Sequence, residues 1–105
     1  MGVEILLYTE RPNRRSRPLR GSYGHGAGLA AVLSKLPCGQ GRLGRIDLYR
    51  DTAFNEQDAD AARAEVPALA VLATTRGEQD AVRDLDLMLA DCAATAGSWL
   101  LFVGD

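Results

Sequence analysis

Four short apolar segments alternate along the chain with three stretches whose apolar residues recur at helical spacing. Val3-Glu4-Ile5-Leu6-Leu7-Tyr8 is β-rich and nearly continuous, the pattern of a strand covered on both faces. Ile46-Asp47-Leu48-Tyr49 alternates apolar and polar, which predicts a short edge strand. Pro67 and the Thr74-Thr75-Arg76-Gly77 run confine the apolar residues 68–73 to strand length, which predicts a buried strand there. Ser98-Trp99-Leu100-Leu101-Phe102-Val103 closes the series, and Trp99 and Phe102 read as core residues of that strand.

Between these segments, Leu29, Val32, Leu33 and Leu36 fall on one helical face that Pro37 and Gly39 terminate. Asn55 is a good N-cap for a second helix, with Ala59, Ala62 and Val66 as a thin apolar stripe and Pro67 as its end. The third helix has the clearest stripe, through Val82, Leu85, Leu89, Cys92, Ala93 and Ala96. Glu78 and Asp80 suit its positive N-terminal end, and Gly97 supplies the C′ position after its last turn. The order is thus βαβαβαβ, and strand–helix–strand units imply right-handed crossovers and a parallel sheet. The expected fold is a single α/β domain over 1–105. Its four-stranded, mainly parallel sheet has the flavodoxin-like order 2-1-3-4, with three helices spread over both faces.

Composition is that of an ordinary globular chain, 47% hydrophobic and 25% charged. No apolar run reaches the length of a membrane span. A secretory leader is not expected, because the N-terminus enters a strand pattern at once. The cysteines Cys38 and Cys92 have no metal-ligand spacing, and Cys92 reads as a reduced core thiol. These features point to a cytoplasmic protein without a membrane partner. Net charge is only −2, yet the halves differ sharply. Residues 1–50 carry nine basic and three acidic side chains; residues 51–105 carry three basic and eleven acidic ones. Such polarity offers a charged surface to a partner.

In an open parallel sheet, ligands sit beyond the carboxyl ends of the strands. That rim would comprise Thr9-Glu10, Asp51-Thr52, Thr74-Thr75-Arg76 and Gly104-Asp105. The connection after the first strand is long and carries Arg11, Arg14, Arg15, Arg17 and Arg20 before a glycine-rich helix entry. Arg17, Arg20, Gly21, Ser22 and Gly24 form a candidate anion site. Glycines admit backbone N–H groups to a phosphate, and arginines add full charge. Neither GxGxxG in a tight turn nor GxxxxGK[ST] is present. His25, the lone histidine, has no carboxylate spaced to orient it, so no catalytic residue and no metal site are assigned.

The layout resembles the front part of the flavodoxin-like NADPH-dependent FMN reductases. The shared features are Leu19-Arg20-Gly21-Ser22-Tyr23 opening a helix, Leu48-Tyr49-Arg50-Asp51 followed by Asn55-Glu56, and Ala73-Thr74 ending an apolar strand. The resemblance implies a flavodoxin-like fold and, as an alternative function, a small flavin- or nucleotide-binding enzyme using the Arg/Gly loop. Thr75-Arg76-Gly77-Glu78 stands where that family has a flavin-holding segment, so the residues themselves assign no cofactor.

The main expectation is a non-enzymatic protein-interaction module. Asp80, Asp84, Asp86 and Asp91 would form an acidic surface for a basic protein, most concretely a toxin or nuclease neutralised by an immunity protein. The acidic second half and the single interleaved Tyr23 argue against nucleic acid as partner.

Overall fold

Burial alternates along the two longest strands, except at the end of the first, where Tyr8 is buried beside Leu7. In β1 (Glu4–Tyr8), Ile5 and Leu7 are buried while Glu4 is exposed and Leu6 half-buried. In β4 (Trp99–Val103), Leu100 and Phe102 are buried while Trp99, Leu101 and Val103 stay half-buried. A period of two with one face in the core is the signature of a sheet covered on one side. The computed structural model, which describes residues 2–105, shows the rest of that arrangement.

Along the chain, β1 is followed by β2 (Arg20–Ser22), α1 (Gly26–Leu33), a 3-10 turn at Leu43–Arg45 and β3 (Thr52–Asn55). Then come α2 (Glu56–Arg63), α3 (Val66–Leu72), α4 (Arg76–Ala94) and β4. The sheet order is β2-β1-β4-β3, and every neighbouring pair is antiparallel. Leu6 stands opposite Gly21 on one side and Leu101 on the other, and Leu101 opposite Ala53. The helices pack against the face that presents Ile5, Leu7, Phe54, Leu100 and Phe102, and all join one core with Leu29, Val32, Leu69, Leu85, Met88 and Leu89. Phe54 and Phe102 meet edge-on with centroids 4.9 Å apart, worth about 0.5–1.5 kcal/mol beyond the area they bury.

The mainly parallel 2-1-3-4 sheet with three helices is therefore incorrect. The sheet is antiparallel, its order is 2-1-4-3, and four α-helices are found among the described residues. Three local readings led to the error. Residues 68–73 are helical within α3 and not a strand. Pro67 lies in the first turn of that helix, where its missing N–H leaves no bond unmade, so it starts a helix instead of ending one. The Ala/Leu run behind it has high helix propensity.

The segment 46–49 alternates in burial, Ile46 buried and Leu48 half-buried, but forms no ladder. Asp47 makes it a turn: its carboxylate accepts the Tyr49 N–H (2.8 Å), and its own N–H donates to Thr52 Oγ1 (3.0 Å). The strand begins after this turn, at Thr52.

Finally, residues 20–22 pair with β1 as an edge strand, so the long connection 9–19 joins two antiparallel neighbours and not a strand to a crossover helix. The parallel rim and the helices on both faces disappear together. Gly97 is left-handed (φ 79°), but it stands two residues after the α4 C-cap at Thr95, one beyond the C′ position, which Ala96 occupies.

Candidate functional site

The longest helix, α4, organises the most prominent charged surface. Thr75 caps it: its hydroxyl accepts the Glu78 N–H (3.1 Å), and the Glu78 side chain returns to the Thr75 N–H in a capping box. Ala81, Val82, Leu85, Met88, Leu89 and Cys92 are buried, which fixes how the helix is turned. Asp80, Asp84, Leu87 and Asp91 fall at i, i+4, i+7 and i+11, a single stripe on another side of the cylinder. The three aspartates are half-buried, whereas Leu87 is 56% exposed.

Each carboxylate of the stripe has a neighbour in the chain. Asp91 pairs with the Arg20 guanidinium, and Asp84 accepts the Ser22 hydroxyl. Asp80 meets Arg83 at 3.4 Å. Two sets of residues that looked separate in sequence, the acidic helix and the Arg/Gly/Ser loop, are thus brought together, with β2 lying against α4. Asp86 is not part of this group. It lines a groove between α3 and α4 with Val66, Ala70, Ala73, Gln79, Val82 and Arg83.

The anion-site residues take up strand roles. Arg20, Gly21 and Ser22 are β2, and the charge of Arg20 and the hydroxyl of Ser22 already face carboxylates. Arg17 and Gly24 are exposed on either side of the strand. Gly21 faces the uncovered side of the sheet, where a Cβ would lie 2.5 Å from the Tyr23 ring, so this glycine makes room for an aromatic ring. The loop before β2 is built by a local turn in which Asn13 Oδ1 accepts the Arg15 N–H (2.8 Å) and Asn13 O accepts the Ser16 N–H (3.1 Å). The rim at the carboxyl ends of parallel strands, where a ligand was expected, does not exist in the antiparallel sheet.

Comparison with family models, with curated proteins and with solved structures returned no match. The reading of the site therefore rests on geometry.

His25 sits at the N-cap of α1 and makes no capping bond. Cys38 is exposed and Cys92 is buried, where loss of hydration raises the thiol pKa. Among the described residues, no group of three or more His, Cys, Asp and Glu side chains is placed to hold a metal ion. No helix among them is long and apolar enough to cross a membrane.

Two side chains of α4 stand out that the sequence did not single out in these places, Leu87 on its surface and Glu78 at its start. Leu87 is the apolar residue of the acidic stripe, and its spacing from Asp80, Asp84 and Asp91, seven, three and four residues, is the helical signal that marks it. Glu78 is more than a favourable charge at a helix end. It is 6% exposed, and its Oε1 accepts from Lys35 Nζ (2.8 Å) and the Thr74 N–H (2.9 Å). The Lys35 hydrogen bond first, then the Thr74 N–H, hold its pKa at about 2, below the ordinary 4.5.

Proposed function

We propose that the chain is a protein-interaction module, not itself an enzyme, and that it carries the Asp80–Asp84–Leu87–Asp91 stripe of α4 to a basic protein. The observation that carries this reading is the exposed leucine set among three carboxylates on one helix face. Interfaces take their affinity from a few apolar anchors inside a polar rim, and charge supplies orientation and speed of encounter. The stripe spans eleven residues of helix, about 16 Å, enough for several lysine or arginine contacts.

The internal partners do not close the surface. The Arg20 and Asp91 side chains are 48% and 42% exposed, and such pairs contribute only about 0–1 kcal/mol. An arginine from a partner exchanges for Arg20 at little cost. A toxin or nuclease is the concrete class of partner, because a protein that grips phosphate needs a positively charged cleft, and a row of carboxylates covers one.

Affinity capture from the source cells, read by mass spectrometry, tests this. Wild type and Asp86→Lys should retain the same basic protein in a salt-sensitive way, since Asp86 lies off the stripe. The double variant Asp80→Lys/Asp84→Lys should lose it. Equal retention by both variants, or capture of acidic proteins only, would remove the proposal.

A further inference from the structure

The sheet face turned away from the helices carries its own pattern. Its central row is Gly21, Leu6, Leu101 and Ala53, read across β2, β1, β4 and β3. Val103 flanks that row on one side and Trp99 on the other, and the Tyr23 ring lies on Gly21. Leu6, Leu101, Val103 and Trp99 are half-buried, Ala53 is exposed, and Tyr23 is 64% exposed. Tyr8, opposite Trp99, is only 7% exposed, so the chain itself covers that end of the face, whereas Leu6, Leu101 and Val103 keep part of their surface in solvent.

The two ends of the face differ in charge. Where β1 begins, Glu4 shares its row with Val103, and Asp51 and Asp105 flank the strands beside Arg50. Where β1 ends, the Arg11 guanidinium stacks 5.5 Å from the Trp99 ring. The loop there also carries Arg14, Arg15 and Arg17 with Glu10. The Glu4 and Tyr8 rows are four residues apart along β1, about 13 Å.

We propose that this face seats a second copy of the chain in a sheet-on-sheet dimer. The two-fold axis lies between the sheets and runs across the strands, along the Leu6–Leu101–Ala53 row. That axis sets each apolar row against itself and places Glu4 of one protomer opposite Arg11 of the other, twice. A two-fold axis along the strands would instead oppose like ends, so the charges select the first arrangement. Aligned packing about 10 Å apart is the usual geometry for two sheets with apolar inner faces. The dimer leaves both α4 stripes on its outer surfaces, so this inference does not rest on the proposed function.

Sedimentation equilibrium of the purified chain tests it, with wild type expected at twice the 11.3 kDa protomer mass. Leu101→Glu sets two carboxylates against each other at the axis and should raise the dimer Kd by about 100-fold. Glu4→Arg and Arg11→Glu should each weaken the dimer, and the double swap E4R/R11E should restore it, because it rebuilds the same cross-pairs with signs exchanged. The swap series decides the matter even if Leu101→Glu fails to fold. A monomeric wild type overturns the proposal, including one whose Trp99 fluorescence is quenched by oligothymidylate on the open face. So does a folded Leu101→Glu dimer of unchanged affinity, or a double swap no tighter than its parents.

Discussion

Gly28 lies where α1 runs close against the start of α4. A Cβ placed there would lie 2.5 Å from the Gly77 carbonyl oxygen and 2.9 Å from its carbon. These are backbone atoms, so relief requires the two helices to separate, and both carry core residues. Gly28→Ala is expected to cost about 1–3 kcal/mol, read as a lowered urea midpoint at unchanged slope. Gly24 supplies the contrast. Nothing lies within 4 Å of a Cβ there, and its φ is not in the left-handed region. Gly24→Ala should be neutral or stabilise by up to about 1 kcal/mol through the unfolded chain. Equal losses for both variants would mean that the helices do not meet at Gly28.

Among the elements, α3 departs most from its sequence expectation, and one pair of side chains tests its identity. Leu69 and Val71 would share a face in a strand, whose period is two, but are far apart around a helix. Leu69 is fully buried, whereas Val71 is 81% exposed. Val71→Lys should change stability by no more than about 0.5 kcal/mol, while Leu69→Ala should cost about 2–5 kcal/mol. Chemical denaturation of both measures this, and a Val71→Lys loss matching Leu69→Ala would return the segment to a buried strand. The capping box makes a second prediction at this scale. Thr75→Ala removes the acceptor of the Glu78 N–H and should cost about 1 kcal/mol.

What could be read in advance follows from how local each signal was. β1, β4 and α4 carry their own periodicity, so their existence was legible, but which residues they bury was only partly so. β1 has one face in the core where two were expected, Trp99 is half-buried outside the core, and α4 ends at Ala94 with Ala81 and Met88 buried and Ala96 beyond it. The three residues of β2, Arg-Gly-Ser, have no strand propensity; they pair because β1 offers a free edge, which is information held elsewhere in the chain. Helix or strand at 66–72 turned on Pro67, which favours a helix start as readily as it ends one. The acidic set was legible as composition. Only its division, with Asp86 on the α3 side and Asp80, Asp84 and Asp91 on the stripe, required the helix to be oriented by its buried residues.

For the molecule as a whole, Glu78 ties together parts distant in sequence. Lys35, just beyond α1, donates to the Leu72 carbonyl at the end of α3 (2.9 Å), to Thr74 Oγ1 (3.1 Å) and to Glu78 Oε1 in α4 (2.8 Å). The carboxylate also accepts the backbone N–H groups of Thr74 and Thr75, so the α3–α4 corner is built around its negative charge. Its pKa falls from 4.5 to about 2 on folding. A lowered pKa in the folded state means that the unfolded chain binds the proton more tightly. The stability linked to Glu78 is therefore fully present above pH 4.5 and is lost as the pH falls toward 2. Glu78→Gln keeps the shape but removes the charge, so it should be less stable than wild type at pH 7. The gap between the two unfolding midpoints should then narrow steadily between pH 4.5 and 2. Unfolding curves across that range decide the point. A gap that stays constant with pH would show that shape, and not the ionised carboxylate, holds the three helices together.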